Sequence, residues 1–175
     1  MADTPDRKHE RRLDRVLGPD YLARIAQRDL DELREMRSEC VEVETEVSYV
    51  RRLAQARIEI LDAELERRGT GGSVEDLIAA LPRILADEGP RSGPAQARLP
   101  QPLAPDMSIR WNRGLENLVS DATLANLPTL SEDDLRSTLS DLRGFEGEIS
   151  DTRAKLHEVI DTLELELAAR HTTPT

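Results

Sequence analysis

The chain has 175 residues, a formal net charge of −11, 34% charged residues and only 2% aromatics. That length allows one domain or one extended unit, and so few aromatics cannot fill a thick globular core; the Leu, Ile, Val and Ala that remain suit long helices packed along narrow seams. Collagen, a disulfide scaffold and a membrane protein are excluded, and an acidic chain lacks the basic face that direct DNA binding needs, though it suits a basic partner.

A single cysteine, Cys40, cannot form an internal disulfide, which fits a reducing compartment. Asp3, Asp6, Arg7 and Lys8 leave no apolar leader after Met1, and no apolar run reaches spanning length. A cytoplasmic protein is expected.

Residues 1–16 read as a disordered N-terminus. The segment 17–69 is predicted to hold a short helix over Pro19 to Ala26, with Tyr21, Leu22 and Ile25 as its apolar face, and then a long helix. Asp29 with Glu32 forms the capping box of the long helix, and Gly69 supplies its stop. Its seam runs Leu33, Met36, Cys40, Val43, Val47, Val50, Ala54, Ile58, Leu61, Leu65. Steps of three and four alternate apart from an extra four at Val50, Ala54, Ile58, the mark of a coiled coil with a stutter.

The segment 70–113 reads as a flexible linker, with a short helix plausible over Val74 to Asp87, capped by Ser73 with Asp76 and kinked or split at Pro82. The segment 114–170 is predicted to repeat the earlier plan, a short helix around Leu118 to Leu127 and a long helix capped by Ser131 with Asp134. The second seam runs Leu135, Thr138, Leu142, Phe145, Ile149, Thr152, Leu156, Ile160, Leu163, Leu167, and 171–175 is a disordered tail. The fold class expected is all-α: an elongated antiparallel two-helix coiled-coil hairpin with short accessory helices and a long flexible linker.

The two halves are copies in one register. Asp29 and Ser131 stand 102 residues apart, as do Leu33 and Leu135, Val47 and Ile149, and Ile58 and Ile160. A duplicated helical unit closes most simply around a pseudo-twofold axis. With that axis near Arg51 and Arg153, Glu44 is expected level with Asp161 and Glu59 level with Glu146, so that acids flank a central pair of arginines.

Beside each seam lies a polar stripe that repeats in the same register. The first copy reads Glu44, Ser48, Arg51, Gln55, Glu59; the second reads Glu146, Ser150, Arg153, His157, Asp161. At about 100° per residue, steps of four, three, four and four keep all five side chains within about 80° of one helix face. The bland reading is a solvated coiled-coil flank, where such residues are routine. Ser48 and Ser150 fit it poorly, since serine is a mediocre helix former that contributes nothing at an exposed flank. The stripe suits a guanine- and phosphate-bearing ligand: carboxylates accept from the guanine N1–H and N2–H₂ edge, arginine forks onto O6 and N7 or a phosphate, and Ser, Gln or His donate to oxygens.

The duplicated spacing E-x3-S-x2-R-x3-Q-x3-D resembles the signature of the cyclic di-GMP-responsive anti-sigma factors of actinomycetes, the RsiG type, which bind the sporulation sigma factor WhiG. Glu59 stands where Asp is usual and His157 where Gln is usual. The resemblance implies cyclic di-GMP as ligand, two molecules in an intercalated pair held by the ten stripe residues between this protein and the sigma factor, which is kept from RNA polymerase. Two alternatives stay open: a coiled-coil scaffold without a nucleotide, and a cyclic dinucleotide sensor whose partner is not a sigma factor. No enzyme and no metal are expected, because no Gly-rich phosphate loop is present and His9, His157 and His171 lack ligand spacing. Trp111 and Tyr21 lie outside the long seams and either pack or anchor a partner.

Overall fold

A computed structural model describes residues 12–84 and 126–171, and those residues are all helix and turn. Three α-helices carry the fold: α1 (Leu30–Thr70), α2 (Val74–Ile84) and α3 (Glu132–His171), with 3-10 turns at Ile25–Gln27 and Leu127–Thr129. Among the described residues the chain divides into two compact units, one of residues 12–51 and 146–171, the other of residues 52–84 and 126–145. The proposed helix around Leu118, Trp111 and the proline-rich stretch lie outside the described residues.

The helices begin where the sequence caps them. Glu32 N–H donates to Asp29 Oδ1 at 2.8 Å, and Asp29 N–H donates back to Glu32 Oε2 at 3.2 Å, a reciprocal box that satisfies two orphan amides. Ser131 and Ser73 each accept from the amide three residues on, at 3.1 and 3.2 Å. The stop of α1 comes at Gly71 rather than Gly69. Gly71 takes φ +70°, and the amides of Gly71 and Gly72 close back on the carbonyls of Arg68 and Arg67. Only glycine enters that left-handed cap without strain, whereas Gly69 keeps helical geometry. Pro82 lies in the last turn of α2, which runs through to Ile84.

The first unit is built on an apolar seam. Leu33, Met36, Cys40, Val43, Val47 and Val50 of α1 are buried, as are Ile149, Leu156, Ile160 and Leu163 of α3. Each such leucine or isoleucine contributes about 1.5–3 kcal/mol by leaving water. The two helices run antiparallel here, since Arg37 pairs with Glu164 while Glu44 pairs with Arg153.

Two expectations at the N-terminus change. Residues 12–16 are helical rather than disordered, because Val16 is fully buried and Arg12 meets Glu39, Glu42 and Glu46. The helix expected over Pro19 to Ala26 is instead a run of tight turns, in which Tyr21, Ala23 and Ile25 donate to carbonyls three residues back. Arg24 at φ +57° breaks any helical path. The Tyr21 hydroxyl reaches the Met36 carbonyl at 3.1 Å and Glu39 at 3.0 Å, which seats the turns on α1.

The second unit packs Leu61 of α1 with Leu127 and with Leu135, Leu139 and Leu142 of α3, while Leu77 of α2 lies against this cluster. Leu139, not Thr138, fills the seam position, because the side chain nearest Leu127 and Leu61 is the one worth burying. Here too α1 and α3 are antiparallel: Asp62 takes both its oxygens to Arg143 at 2.8–2.9 Å, while Arg68 reaches Leu127 and Leu130. Gly144 and Gly147 lie within α3, and a Cβ built on either meets nothing within 4 Å.

Candidate ligand-binding stripe

In α1, Glu44, Ser48 and Arg51 stand one residue past the seam positions Val43, Val47 and Val50, so they emerge half-buried along its edge. One helical turn brings the serine back onto the acid: Ser48 Oγ donates to Glu44 Oε1 at 2.7 Å. The second copy repeats this in α3, where Ser150 Oγ donates to Glu146 Oε1 at 2.9 Å.

The two copies then exchange partners across the seam of the first unit. Arg153 Nε shares its hydrogen between Glu44 Oε1 at 2.9 Å and Ser48 Oγ at 2.8 Å. Arg51 Nη1 lies 3.6 Å from Glu146 Oε1. Glu44 with Arg153 and Glu146 with Arg51 are the same pairing under a half turn, as duplication requires. The axis therefore passes nearer Ser48 and Ser150 than the arginines. The expected level of Glu44 with Asp161 is corrected by about two turns: Glu44 faces Arg153 and His157. The reason is charge, since arginine levels with an acid rather than with the other arginine.

His157 Nε2 stands 3.2 Å from Glu44 Oε1 but is poorly aligned for a hydrogen bond, and that buried nitrogen has no hydrogen-bond partner. Arg51 Nε is likewise buried without one. Buried polar atoms left in that state are rare, and each asks for an explanation.

Burial works to raise the Glu44 carboxyl, but the hydrogen bonds from Ser48 and Arg153, with the charges of Arg153 and His157, outweigh it and hold the group below its ordinary value. Glu44 is thus an anion that the opposite helix has already neutralised.

Seven of the ten candidate residues meet in this one unit: Glu44, Ser48, Arg51, Glu146, Ser150, Arg153 and His157. Asp161 of the same unit is exposed. Gln55 and Glu59 belong to the second unit, where Gln55 is half-buried and Glu59 is exposed at the rim of a groove of about 550 Å³.

One charged cluster escaped the sequence reading. Glu64 is fully buried in the second unit, and its oxygens accept from Arg67 and Arg68 at 2.7–2.8 Å. The same guanidinium groups reach on to carbonyls, Arg67 to Gly72 and Arg68 to Leu127 and Leu130. The hydrogen bond from Arg67 is the largest effect holding the Glu64 carboxyl below its ordinary value. The signal was there as an acid followed by arginines at three and four residues, a spacing that folds both onto it.

Among the described residues no helix is long and apolar enough to cross a membrane, and no group of three His, Cys, Asp or Glu side chains could hold a metal ion. A search of curated proteins finds no match to the chain. A family model described as RsiG-like matches residues 19–85 and 121–175, which takes in both long helices and every stripe residue. That family is one of anti-sigma factors, regulatory rather than enzymatic proteins whose partner is a sigma factor. Matched by that model over residues 19–85 and 121–175, most of its length, the chain belongs to the RsiG-like family of anti-sigma factors.

Proposed function

We propose that this anti-sigma factor binds cyclic di-GMP on its stripe and, with the ligand in place, holds a WhiG-type sporulation sigma factor away from RNA polymerase in the cytoplasm. The observation that carries the reading is the meeting of two acids, two serines and two arginines around one pseudo-twofold axis, with Arg51 Nε and His157 Nε2 buried beside them without hydrogen-bond partners.

The residues fit such a ligand. Glu44 and Glu146 are carboxylates already accepting hydrogen bonds from hydroxyl or guanidinium donors, the kind a guanine N1–H and N2–H₂ edge offers. Arg51 and Arg153 are guanidinium forks suited to guanine O6 and N7 or to a phosphate. A cyclic dinucleotide with two guanines and two phosphates supplies both kinds of group, so it replaces the internal partners with like ones and leaves no buried donor or acceptor unmade. A pair of such ligands matches the twofold repeat of the stripe.

Charge argues for a shared site. An acidic protein holding an anionic ligand gains most when a basic surface closes over it. Ligand and sigma factor therefore bind with positive coupling of about 1–3 kcal/mol, or roughly 5–150-fold. Calorimetric titration with cyclic di-GMP, with and without the candidate sigma factor, tests this; equal affinities refute it. Replacing both Arg51 and Arg153 by alanine should abolish measurable ligand binding while leaving helicity nearly intact, since Arg and Ala are both good helix formers.

The contact of Glu44 with Arg153 favours a second reading, in which the stripe is an interhelical lock of a scaffold. A titration that releases no heat selects it.

A further inference from the structure

The two halves of the stripe are equivalent in sequence but not in bonding. Arg153 Nε is engaged twice, by Glu44 Oε1 at 2.9 Å and by Ser48 Oγ at 2.8 Å, and Glu44 has His157 3.2 Å away as a further neighbour. At the half-turn mate, Arg51 Nη1 stands 3.6 Å from Glu146 Oε1, and Arg51 Nε is buried with no hydrogen-bond partner. One arginine is latched. The other keeps a desolvated donor without an acceptor.

Resting on the ligand reading above, we infer that the stripe loads in a fixed order, with Arg51 as the capturing arginine and Arg153 as a latched one that must first let go of Glu44 and Ser48. The chemistry follows from the bonding. An acceptor that arrives at Arg51, a guanine O6 or a phosphate oxygen, satisfies a buried donor whose desolvation has already occurred, and it displaces only a long ion pair. An acceptor that arrives at Arg153 Nε must displace a three-centre, charge-assisted hydrogen bond, and it leaves Glu44 buried until a guanine edge or His157 takes the place of that N–H. The first event is favoured by the free protein and the second is resisted by it. His157 then serves the latch as well as the ligand, because its Nε2 stands 3.2 Å from Glu44 Oε1, where a ring N–H can take the place of the Arg153 donor.

The full chain titrated calorimetrically with cyclic di-GMP tests the order. The first ligand should bind on the order of tenfold or more tighter than the second. Arg51→Ala should weaken the tight event on the order of tenfold or more, whereas Arg153→Ala should leave it within about twofold and weaken only the later one. Arg51→Lys and Arg153→Lys keep the charge and the helix but lose the Nε–H, so the same asymmetry in this pair separates binding from folding. Equal losses at Arg51 and Arg153, or loss of the tight event in Arg153→Ala, overturn the order while leaving the site standing. Unchanged binding in both single variants and in the double variant overturns the order and the site together.

Discussion

Arg153 Nε lies 2.9 Å from Glu44 Oε1, and the pair joins residues 109 positions apart in the chain. With Arg153 about a third exposed, water discounts the interaction to about 1–2 kcal/mol. The depressed Glu44 carboxyl makes that contribution depend on pH. It is fully present above the ordinary carboxylate range and disappears as pH falls through the lowered value, when protonation removes the anion. Thermal unfolding of the natural chain and Glu44→Gln should show a gap of about 1–2 kcal/mol at neutral pH that narrows toward zero in acid. A gap that ignores pH would mean that the ionised Glu44 carboxylate is not what contributes it.

Leu156 of α3 is fully buried in the first unit. Leu156→Ala removes three carbons and leaves a cavity that two stiff helices relax into only partly, at a cost of about 3–4 kcal/mol. Chemical denaturation measures it; a loss under about 1 kcal/mol would place Leu156 outside the packed seam.

Glu64 ties the end of α1 to the turn Leu127–Thr129 through Arg68. Glu64→Ala leaves two guanidinium groups without their anion and should cost about 3 kcal/mol, whereas Glu64→Gln keeps an acceptor and should cost less. The order of the two variants in denaturant is the check. If Gln proves as damaging as Ala, the charge and not the hydrogen bond is what holds the turn.

Cys40 is fully buried on the seam, and burial pushes its thiol up despite the Tyr21 hydroxyl beside it. At neutral pH it is a neutral small apolar residue with no thiolate to react. A thiol reagent should label the folded chain only at the rate of unfolding and label it quickly in denaturant. Fast labelling of the native protein would show that the seam opens near Cys40.

Much of this was written in local patterns. The caps at Asp29 and Ser131, the seams and the phase of the stripe follow from spacing alone, because a helix converts sequence distance into direction. What spacing does not carry is the relative height of the two helices. Shifting one against the other by two turns keeps every apolar residue in a seam, so the apolar pattern did not fix the height, and the expected level of Glu44 with Asp161 gives way to its pairing with Arg153. Leu139 shows the same limit, since the repeat pointed to Thr138 and only the neighbouring Leu127 made its fellow the better core residue. The turns from Gly18 to Gln27 were hidden for another reason. Tyr21 and Ile25 have helical spacing, but Arg24 takes a left-handed φ between them, and no residue pattern announced it.

Gly144 and Gly147 bracket Glu146 in α3, with open space where side chains would be. Each weakens the helix by about 1 kcal/mol relative to alanine, and neither is repaid by a close approach. The backbone that carries one acid of the stripe is therefore its most easily breathed stretch away from the ends. Amide deuteration along α3 should run fastest there, and on the proposed ligand reading, adding cyclic di-GMP should slow it at Glu146 and Ser150, giving a label-free report of binding.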